Sequence, residues 1–565
     1  MTVILGISNT HNGSVAIIRN GEVVSAIQAE RISRQKRQSI ILGKENKLTK
    51  ECVSYCLKAS GLQYSDIDSI AISTPWNVSK VHDSDLFKYI GGKPKNYMGT
   101  FYVPHHFSHM EYIVHFGAMA PGIVLVIDGS GSLEEDRTLF NIDEPHHPDI
   151  IDHVHFAGKE VISAYWFDGS KSSLIYRFSP ASAPIEESNA DANGLLQSIG
   201  HYWEWASQYC CGSRNEAGKV MGLAAFGSQS KHNKEKILSI NNNGKIKVDY
   251  QKIKSTLKEP NVLKLDLSNS IHHQNTALQV QLETESVILT LLKMLKEKHP
   301  SDTLYLSGGV ALNVVANERI INSNLFENVV LNGSVEDNGS AIGAGLAAHS
   351  QLGFAKKTSA VTDYYGCSYS QEQIINAVLK YGFPHQVLTG KQTVKFAADL
   401  ISKNKIFGWF QGRSEFGPRS LGNRSILANP TDPETKYILD HYMKCRDRYR
   451  PYAPVVIEER ASQYFDMSSS SPVMMRNVKV LQNLMPAITH FDGTARVQTV
   501  NKNDNGILYY LLLEVEKTIG YPVLLNTSFN LPGEPIVESP SDALSSFSRG
   551  SLDYLFLGNV LVRRS

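Results

Sequence analysis

The chain lacks any apolar run long enough for a membrane-spanning helix, which needs about 20 consecutive apolar residues. Its opening, MTVILGIS, also lacks the basic segment that precedes the apolar core of a secretory signal. Net charge is nearly absent, because 56 Lys and Arg stand against 55 Asp and Glu, so bulk charge indicates neither a nucleic-acid nor a membrane partner. We expect a globular, cytoplasmic protein with no membrane partner.

Cysteine is scarce, with 6 in 565 residues and no C-x-x-C pair. This excludes a dense disulfide framework, and we expect reduced, mostly structural thiols. A chain of this length buries a large core and divides into more than one domain.

The first 350 residues show the pattern of a duplicated α/β ATPase core. The opening VILGISNTHNGSVAIIRNGEVVSAIQAE predicts three short strands with a tight turn at Asn20–Gly21, followed by a helix over about 47–62. Apolar strands at 123–127 and 303–306 each end in a glycine-rich turn. Residues 351–371 show no regular hydrophobic periodicity, and we place a domain boundary there before a second α/β unit.

Two histidines four residues apart, His105 and His109 in VPHHFSHMEY, are expected to share one helical face. Asp128 ends an apolar strand and Asp337 lies in a glycine-rich turn, where α/β folds present carboxylates to metals and phosphates. Together they form a nitrogen and oxygen ligand set for one divalent ion. Surface or hydrogen-bonded histidines are the alternative, and the spacing leaves both interpretations open.

Three glycine-rich segments are candidates for nucleotide binding, because backbone N–H groups approach phosphate closely there and a following helix adds partial positive charge. They are SGGVALN (307–313), DNGSAIGAG (337–345) and NEAGKVMGLAAFG (215–227). Each one also fits an ordinary turn or helix-packing motif. Their recurrence in one domain favours a nucleotide.

A block of basic residues between 413 and 450 lies among glycines, prolines and aromatics rather than on a plain amphipathic helix. Guanidinium groups pair bidentately with phosphate oxygens, so several in one pocket would bind a phosphorylated substrate. Salt-bridged surface arginines are the alternative. The basic residues are Arg413, Arg419, Arg424, Lys444, Arg446, Arg448 and Arg450, and the downstream segments THFDGTARVQTV and VLLNTSFNLPGEPIV add Arg496, Asn526, Thr527, Ser528 and Asn530.

These motifs, with GWFQGRSEFGPRSLGNRSILANP and RYRPYAPVV, resemble the O-carbamoyltransferase family of nodulation and antibiotic-tailoring enzymes over almost the whole chain. The resemblance implies a duplicated actin-like ATPase domain over 1–355, similar to tRNA threonylcarbamoyl transferases. It implies a YrdC-like α/β domain over 365–565. The implied reaction forms carbamoyl-adenylate from carbamoyl phosphate and ATP in the second domain, and the first domain transfers the carbamoyl group to a hydroxyl.

The resemblance also implies site residues. A ferrous or similar divalent ion would be held by His105, His109, Asp128 and Asp337, with Mg²⁺ accompanying ATP. Nucleotide contacts in the first domain would come from Glu216, Lys219, Gly308, Gly309 and Asn313. Carbamoyl phosphate and ATP would be bound in the second domain by Arg419, Lys444, Arg446, Arg450, Arg496, Asn526 and Ser528, with Lys444 also acting in catalysis.

His11 is the candidate general base toward the acceptor hydroxyl, since an imidazole titrates near neutrality. The family pattern at this point tends to be His-Asp, whereas this chain has His11-Asn12. A second departure is the insertion NIDEPHHPDIIDHVHF, whose histidines we interpret as part of a surface loop rather than a rival metal site. They are His146, His147, His153 and His155.

The acceptor is left open between a small-molecule or sugar hydroxyl and a hydroxymethylated base such as 5-hydroxymethylcytosine in a nucleotide or DNA. A run of basic residues near His11 is a weak indication of a nucleic acid. The alternatives are a threonylcarbamoyl transferase acting on tRNA and an actin-like ATPase module without transfer. A homodimer is also compatible with the sequence. The basic run comprises Arg31, Arg34, Lys36, Arg37, Lys44, Lys47 and Lys50.

Overall fold

The computed structural model describes residues 1–42, 47–75, 81–155, 158–180, 197–228, 235–256 and 270–564. The chain divides into two compact units. Unit 1 comprises Met1–Val24, Ser39–Leu57 and Leu62–Ala360, and unit 2 comprises Ser25–Gln38, Lys58–Gly61 and Val361–Ser565. Every helix among the described residues is too short or too polar to cross a membrane.

The first sheet of unit 1 grows from the β-rich opening. Its order is β3-β2-β1-β4-β5, and β1 pairs antiparallel with β2 but parallel with β4. The turn between β2 and β3 has a positive φ at both Asn20 (51°) and Gly21 (79°), which confirms the predicted tight turn. The strands are β1 (Val3–Ser8), β2 (Ser14–Arg19), β3 (Glu22–Gln28), β4 (Ser69–Ser73) and β5 (Gly99–Val103).

The second sheet repeats the topology of the first. It contains β6 (Gly122–Ile127), β7 (His146–Val154), β8 (Ile162–Phe167), β9 (Ser172–Ser179), β12 (Thr303–Ser307) and β13 (Asn328–Val330) in the order β13-β12-β6-β8-β9-β7. β6 pairs antiparallel with β8 and parallel with β12, as β1 does with β2 and β4. This repeat confirms the predicted duplicated, actin-like α/β fold. β10 (Leu238–Ile240) and β11 (Ile246–Val248) form a separate hairpin.

The histidine-bearing insertion forms an edge strand, so the prediction of a surface loop was wrong. β7 pairs in parallel with β9, with Ile151 opposite Tyr176 and His153 opposite Phe178. The physical reason is that residues 150–154 supply an extended segment for the otherwise unpaired edge of β9, and the register shift before Ile151 absorbs the irregular Pro-containing part.

The helices of unit 1 bring the candidate ligands together. α10 packs closely against β1 and α4: a Cβ on Gly6 would lie 2.0 Å from Ala341 O, and one on Gly343 would lie 1.7 Å from Ser108 O. Glycine is therefore required at both contacts. The helices are α2 (Lys47–Ser60), α3 (Asp83–Ile90), α4 (His105–Val114), α5 (Ile199–Cys211), α6 (Ala217–Ala224), α7 (Tyr250–Thr256), α8 (Ile271–Lys298), α9 (Val314–Ile321) and α10 (Gly339–Gln351), and α1 (Ala29–Ser33) belongs to unit 2.

Unit 2 is a nine-stranded mixed sheet with helices on both faces. The strand order is β14-β22-β21-β15-β16-β20-β17-β19-β18. One core contains Val378 of α11 and Phe547 of α15, and the other contains Leu400 of α12 and Leu511 of α14. The helices are α11 (Gln371–Tyr381), α12 (Gly390–Ser402), α13 (Pro433–Ile438), α14 (Gly506–Ile519) and α15 (Pro540–Arg549).

The strands of unit 2 are β14 (His385–Val387), β15 (Phe407–Phe410), β16 (Arg424–Ala428), β17 (Ala453–Ile457), β18 (Arg476–Lys479), β19 (Thr494–Val500), β20 (Val523–Ser528), β21 (Tyr554–Leu557) and β22 (Val560–Arg563). β16 and β17 both pair antiparallel with β20, which makes the C-terminal end of β20 a meeting point of loops. A π-helical turn, Leu439–Met443, continues α13.

Two arginines of the basic run near the N-terminus, Arg31 and Arg34, make their contacts inside unit 2. Arg31 is 1% exposed, and its Nη2 donates to Gly417 O at 2.6 Å. Arg34 donates to Ile536 O and Pro535 O and lies 3.7 Å from Asp542. These contacts tie Ser25–Gln38 to unit 2 and engage two of the seven basic residues of the run. Lys44 lies outside the described residues.

Candidate functional site

The four residues proposed as metal ligands converge in unit 1. His105 and His109 lie in α4, Asp128 directly follows β6, and Asp337 lies just before α10. One ligand atom from each lies within 4.8 Å of the others. His105 Nε2 is 3.3 Å from Asp128 Oδ2 and 3.3 Å from Asp337 Oδ1, and His109 Nε2 is 3.2 Å from His105 Nε2. Both imidazoles are fully buried. Two imidazoles and two carboxylates form a donor set suited to a first-row divalent metal.

Charge at this cluster is unevenly distributed in the metal-free protein. Although burial opposes it, the carboxylates of Asp337 and Asp128 raise the pKa of His105 to about 10. Burial and the neighbouring His105 charge lower the pKa of His109 to about 4. Against burial, His11 and His105 hold the pKa of Asp337 well below its usual range. These pKa shifts favour a positive charge on His105 beside the two carboxylates.

Surrounding hydroxyl groups fix the orientation of the cluster. Ser73 Oγ lies 3.1 Å from His105 Nδ1, and Ser132 Oγ accepts from the backbone N–H of His105 at 2.9 Å. Ser8 and Ser340 both donate to the backbone oxygen of Asp337, at 2.8 and 2.7 Å. A hydrogen bond to the second ring nitrogen sets which nitrogen faces a metal. The site is thus held by groups that do not themselves need to bind the ion.

His11 borders the cluster on its exposed side. Its Nδ1 lies 3.2 Å from Asp337 Oδ2, and its side chain is 60% exposed. The charge of Asp337 raises the pKa of His11 to about 9, with burial opposing the rise. The neighbouring Asn12 donates from Nδ2 to Glu336 Oε2 at 3.1 Å. An aspartate at position 12 would place two carboxylates together, whereas the amide of Asn12 donates a hydrogen bond to Glu336.

The five residues proposed for nucleotide binding in unit 1 have mixed surroundings. Gly308 has φ +87°, and the backbone N–H of Gly309 donates to Asp128 Oδ1 at 3.2 Å, so this turn lies beside the metal-ligand candidates. Asn313 caps α9 and exchanges hydrogen bonds with Gln281, which occupies its amide. Glu216 and Lys219, at the start of α6, lie 3.5 Å apart as an ion pair.

In unit 2, cations gather from several loops. Burial and the like charges of Arg419, Arg446 and Arg450 hold the pKa of Arg496 well below its usual range. Burial and the charges of Arg446, Lys36 and Arg450 do the same for Lys444. Within the part of the chain that the structure describes, neither Arg496 nor Lys444 forms an ion pair with a carboxylate. Crowding of partly exposed like charges is unfavourable without an anion, so this group of cations is a candidate anion site.

The other polar residues proposed for this site make structural contacts. Lys444 Nζ donates to the backbone oxygens of Ser528 and Asn530 and to Asn530 Oδ1 at 2.8 Å. Ser528 Oγ donates to that same Oδ1 at 2.7 Å. Asn526 is 1% exposed and bonds to Gln498 and Ser420. Its amide therefore joins β20 to Gln498 of β19 and to the loop at Ser420, and Ser528 is the more accessible of the pair.

The arginine block divides into two groups that the sequence did not separate. Arg424 is fully buried, bonds to the oxygen of Gln411 and lies over Phe410 at 3.6 Å. Arg413 donates to the oxygens of Gly366 and Tyr365. Both brace the backbone, a role that neither the salt-bridge alternative nor the phosphate interpretation includes.

Lys36 was missed as a candidate for the anion site. It lies on Ser25–Gln38, an N-terminal segment that belongs to unit 2, and its charge helps to lower the pKa of Lys444. The sequence signal was the basic run itself, which was interpreted as a surface for a polyanionic acceptor. Only the tertiary fold shows that Lys36 belongs with residues more than four hundred positions away.

The comparisons with known proteins agree with the motif-based resemblance. The carbamoyltransferase N-terminus family model matches residues 3–101 and 89–346, and the carbamoyltransferase C-terminus model matches 398–564. Nodulation protein NolNO of Sinorhizobium fredii is 30% identical over 593 residues, covering 99% of this chain and 80% of that protein. Nodulation protein NolO of Bradyrhizobium diazoefficiens is 32% identical over 425 residues, covering 71% and 77%.

Among solved structures, full-length HypF in its phosphate- and nucleotide-bound form aligns with a TM-score of 0.38 at 13% identity, covering 62% of this chain and 56% of that chain. The two family models and the relatives above cover both units. By these matches the chain is an enzyme of the carbamoyltransferase family.

Proposed function

We propose that the chain is an ATP-dependent O-carbamoyltransferase that works in two half-reactions. Carbamoyl phosphate and water give carbamate and phosphate, and carbamate then displaces pyrophosphate from ATP to form carbamoyl-adenylate. The acceptor alcohol attacks the carbamoyl carbon, forming the O-carbamate and releasing AMP. The acceptor's proton goes to a base in unit 1. The proposal assigns adenylate formation to unit 2 and transfer to unit 1.

The observation that supports it most is the cation cluster of unit 2. Carbamoyl phosphate, the carbamate formed from it and the triphosphate of ATP are all anions, and their mutual repulsion must be neutralised for the adenylate to form. Arg419, Lys444, Arg450 and Arg496 would supply that neutralisation, and Lys36 would add to it. Burial and the neighbouring cations hold the pKa of Lys444 low, and the charge of a bound phosphate would raise it.

In unit 1 the proposed metal ligands are His105, His109, Asp128 and Asp337. A divalent ion bound there would act as a Lewis acid toward the adenylate phosphate, and iron is the metal we favour, with Mg²⁺ accompanying ATP. The chain's own contribution is to hold the ligands with Ser73 and Ser132 and to present His11 beside them. His11 would accept the hydroxyl proton after losing the proton that Asp337 now stabilises.

The acceptor we propose is a small-molecule or sugar hydroxyl. Arg31 and Arg34, which had favoured a nucleic acid, are engaged by backbone oxygens inside unit 2. A hydroxymethylated base remains an outcome that mass spectrometry of candidate acceptors would reveal as an added carbamoyl group.

The test is the product balance of the purified protein with ATP and carbamoyl phosphate. We expect pyrophosphate, phosphate and AMP, with pyrophosphate release depending on carbamoyl phosphate. Release of ADP alone, independent of carbamoyl phosphate, would indicate an ATPase module instead. A requirement for threonine and tRNA would indicate a threonylcarbamoyl transferase.

A further inference from the structure

Asp440 is a buried carboxylate among the cations of unit 2. It is 3% exposed and lies in the π-helical turn Leu439–Met443. Its Oδ1 accepts from Tyr452 Oη at 2.8 Å and from Arg446 Nε at 3.2 Å, and its Oδ2 accepts from Lys436 Nζ at 2.5 Å. A single carboxylate thus satisfies three donors from three parts of the chain.

The backbone between Lys444 and Arg450 is fastened to the same turn. Lys444 N–H donates to Leu439 O at 2.8 Å, and Arg446 N–H donates to Asp440 O at 3.2 Å. Lys436, held by Asp440, also donates to Arg448 O at 2.6 Å. Between Lys444 and Arg446 the chain passes through Cys445 at φ 43°, a left-handed conformation that a non-glycine residue adopts only when its surroundings impose it.

The resemblance implies a phosphate-binding role for Arg446 as well, but its guanidinium is engaged within unit 2. Asp440 accepts its Nε–H, its guanidinium lies over the Tyr452 ring at 3.8 Å, and its Nη2 donates to Pro451 O at 3.2 Å. Its hydrogen-bonding directions are therefore largely used within unit 2. Arg446 therefore links Asp440 to the segment that contains Arg450 and Pro451.

We infer that Asp440 is a positioning residue of the anion site: it holds Arg446 and the turn through Cys445, and this fixes the places of Lys444 and Arg450 in the site for carbamoyl phosphate. This inference rests on the proposed function. It goes beyond that function by assigning positioning to Asp440 and Arg446 and phosphate binding to Lys444 and Arg450. Asp440 does not touch the substrate in this account. Its negative charge is tolerated beside an anion because Lys436 and Arg446 neutralise it locally.

An alternative role for Asp440 predicts the opposite change in anion affinity. If Asp440 were only a counter-charge that weakens the positive field, Asp440→Asn would tighten anion binding. If it positions the turn, the same variant would weaken binding, because a displaced Lys444 and Arg450 no longer meet the phosphate. The direction of the change in affinity separates the two.

The experiment measures the dissociation constant for carbamoyl phosphate and the rate of pyrophosphate formation in the full-length protein. For Asp440→Asn we expect the dissociation constant to rise about tenfold or more, with partial recovery in Asp440→Glu. Divalent-ion binding in unit 1 should be unchanged. The matched control is Asp399→Asn, which breaks an exposed i,i+4 pair with Lys403 at 2.8 Å and should leave both quantities at wild-type values.

A dissociation constant for Asp440→Asn that is lower than or within twofold of the wild-type value would overturn the inference while leaving the proposed function intact. Wild-type protein that neither binds carbamoyl phosphate nor forms pyrophosphate would overturn both. If Asp440→Asn does not fold, Tyr452→Phe decides, since it removes one hydrogen bond to Oδ1. We expect a smaller rise of the same sign, and an unchanged affinity would overturn the inference.

Discussion

Asp337 joins His11 to His105 through its two carboxylate oxygens: Oδ2 lies 3.2 Å from His11 Nδ1, and Oδ1 lies 3.3 Å from His105 Nε2. One carboxylate therefore connects an exposed imidazole to a buried one. A cation that binds Asp337 would offset the negative charge that raises the pKa of His11, and would so change the protonation of His11. The proposed ion and the proposed base are for this reason electrostatically linked.

His105→Ala should remove divalent-ion binding. The variant deletes the imidazole at the centre of the cluster, and we expect affinity for Fe²⁺ or Mn²⁺ to fall by more than about 100-fold, since even supporting groups around a metal typically contribute about 10- to 100-fold. Equilibrium dialysis under anaerobic conditions measures it. His147→Ala, on the edge strand, is the control. Equal affinity in His105→Ala and wild type would contradict the proposed site.

Ion binding should release protons and weaken as pH falls. His105, whose pKa is raised to about 10, carries a proton at pH 7 to 8 in the metal-free protein, and a metal needs the neutral ring. Proton and metal therefore compete, and affinity should rise by about tenfold per pH unit below that pKa if one proton is displaced. Calorimetry in two buffers of different ionisation enthalpy counts the protons. Binding without proton release would show that His105 is not a ligand.

Lys444→Ala should nearly abolish pyrophosphate formation. It removes a cation from the cluster at which phosphate charge is neutralised, and we expect the rate to fall by about 100- to 1000-fold, in the range seen when one electrostatic stabiliser is deleted. A coupled pyrophosphate assay measures it. Lys517→Ala, whose side chain is 69% exposed and pairs with Glu514, is the matched control. A rate within twofold of wild type would remove Lys444 from the mechanism.

Asn12→Asp should destabilise the metal-free protein and be rescued by a divalent ion. The change replaces a hydrogen bond to Glu336 with two neighbouring carboxylates, for which we expect a loss of about 1 to 2 kcal/mol in the free energy of unfolding. A bound cation would offset that repulsion. Thermal unfolding with chelator and with Mn²⁺ tests this, and Asn12→Ala, which adds no charge, should show a loss without rescue. Absence of rescue in Asn12→Asp would place position 12 outside the field of the ion.

Local patterns predicted the convergence of the four candidate metal ligands. The i,i+4 spacing of His105 and His109 fixes a shared face of α4, and Asp128 ends a strand that the topology places beside that helix. The sequence therefore indicated both which residues form the cluster and roughly where in the fold they lie. The repeat of strand order in the two sheets was likewise visible as glycine-rich turns after apolar strands.

Other features depended on tertiary contacts that no local pattern records. Arg424 and Arg450 look alike in sequence, but their surroundings differ. Arg424 donates to backbone oxygens, whereas the charge of Arg450 lowers the pKa of Arg496 and of Lys444. The segment that carries Lys36 clusters with unit 2 because Arg31 finds an acceptor at Gly417. The edge strand β7 formed because β9 offered an unpaired edge. In each case the deciding partner is distant in sequence.

The measurement that tests the central claim most directly compares His11→Ala with Lys444→Ala in a single-turnover reaction of ATP, carbamoyl phosphate and a hydroxyl acceptor. The account predicts that His11→Ala forms pyrophosphate at the wild-type rate but transfers the carbamoyl group slowly, whereas Lys444→Ala forms neither product. Loss of pyrophosphate formation in a correctly folded His11→Ala protein would contradict the assignment of the two half-reactions to the two units.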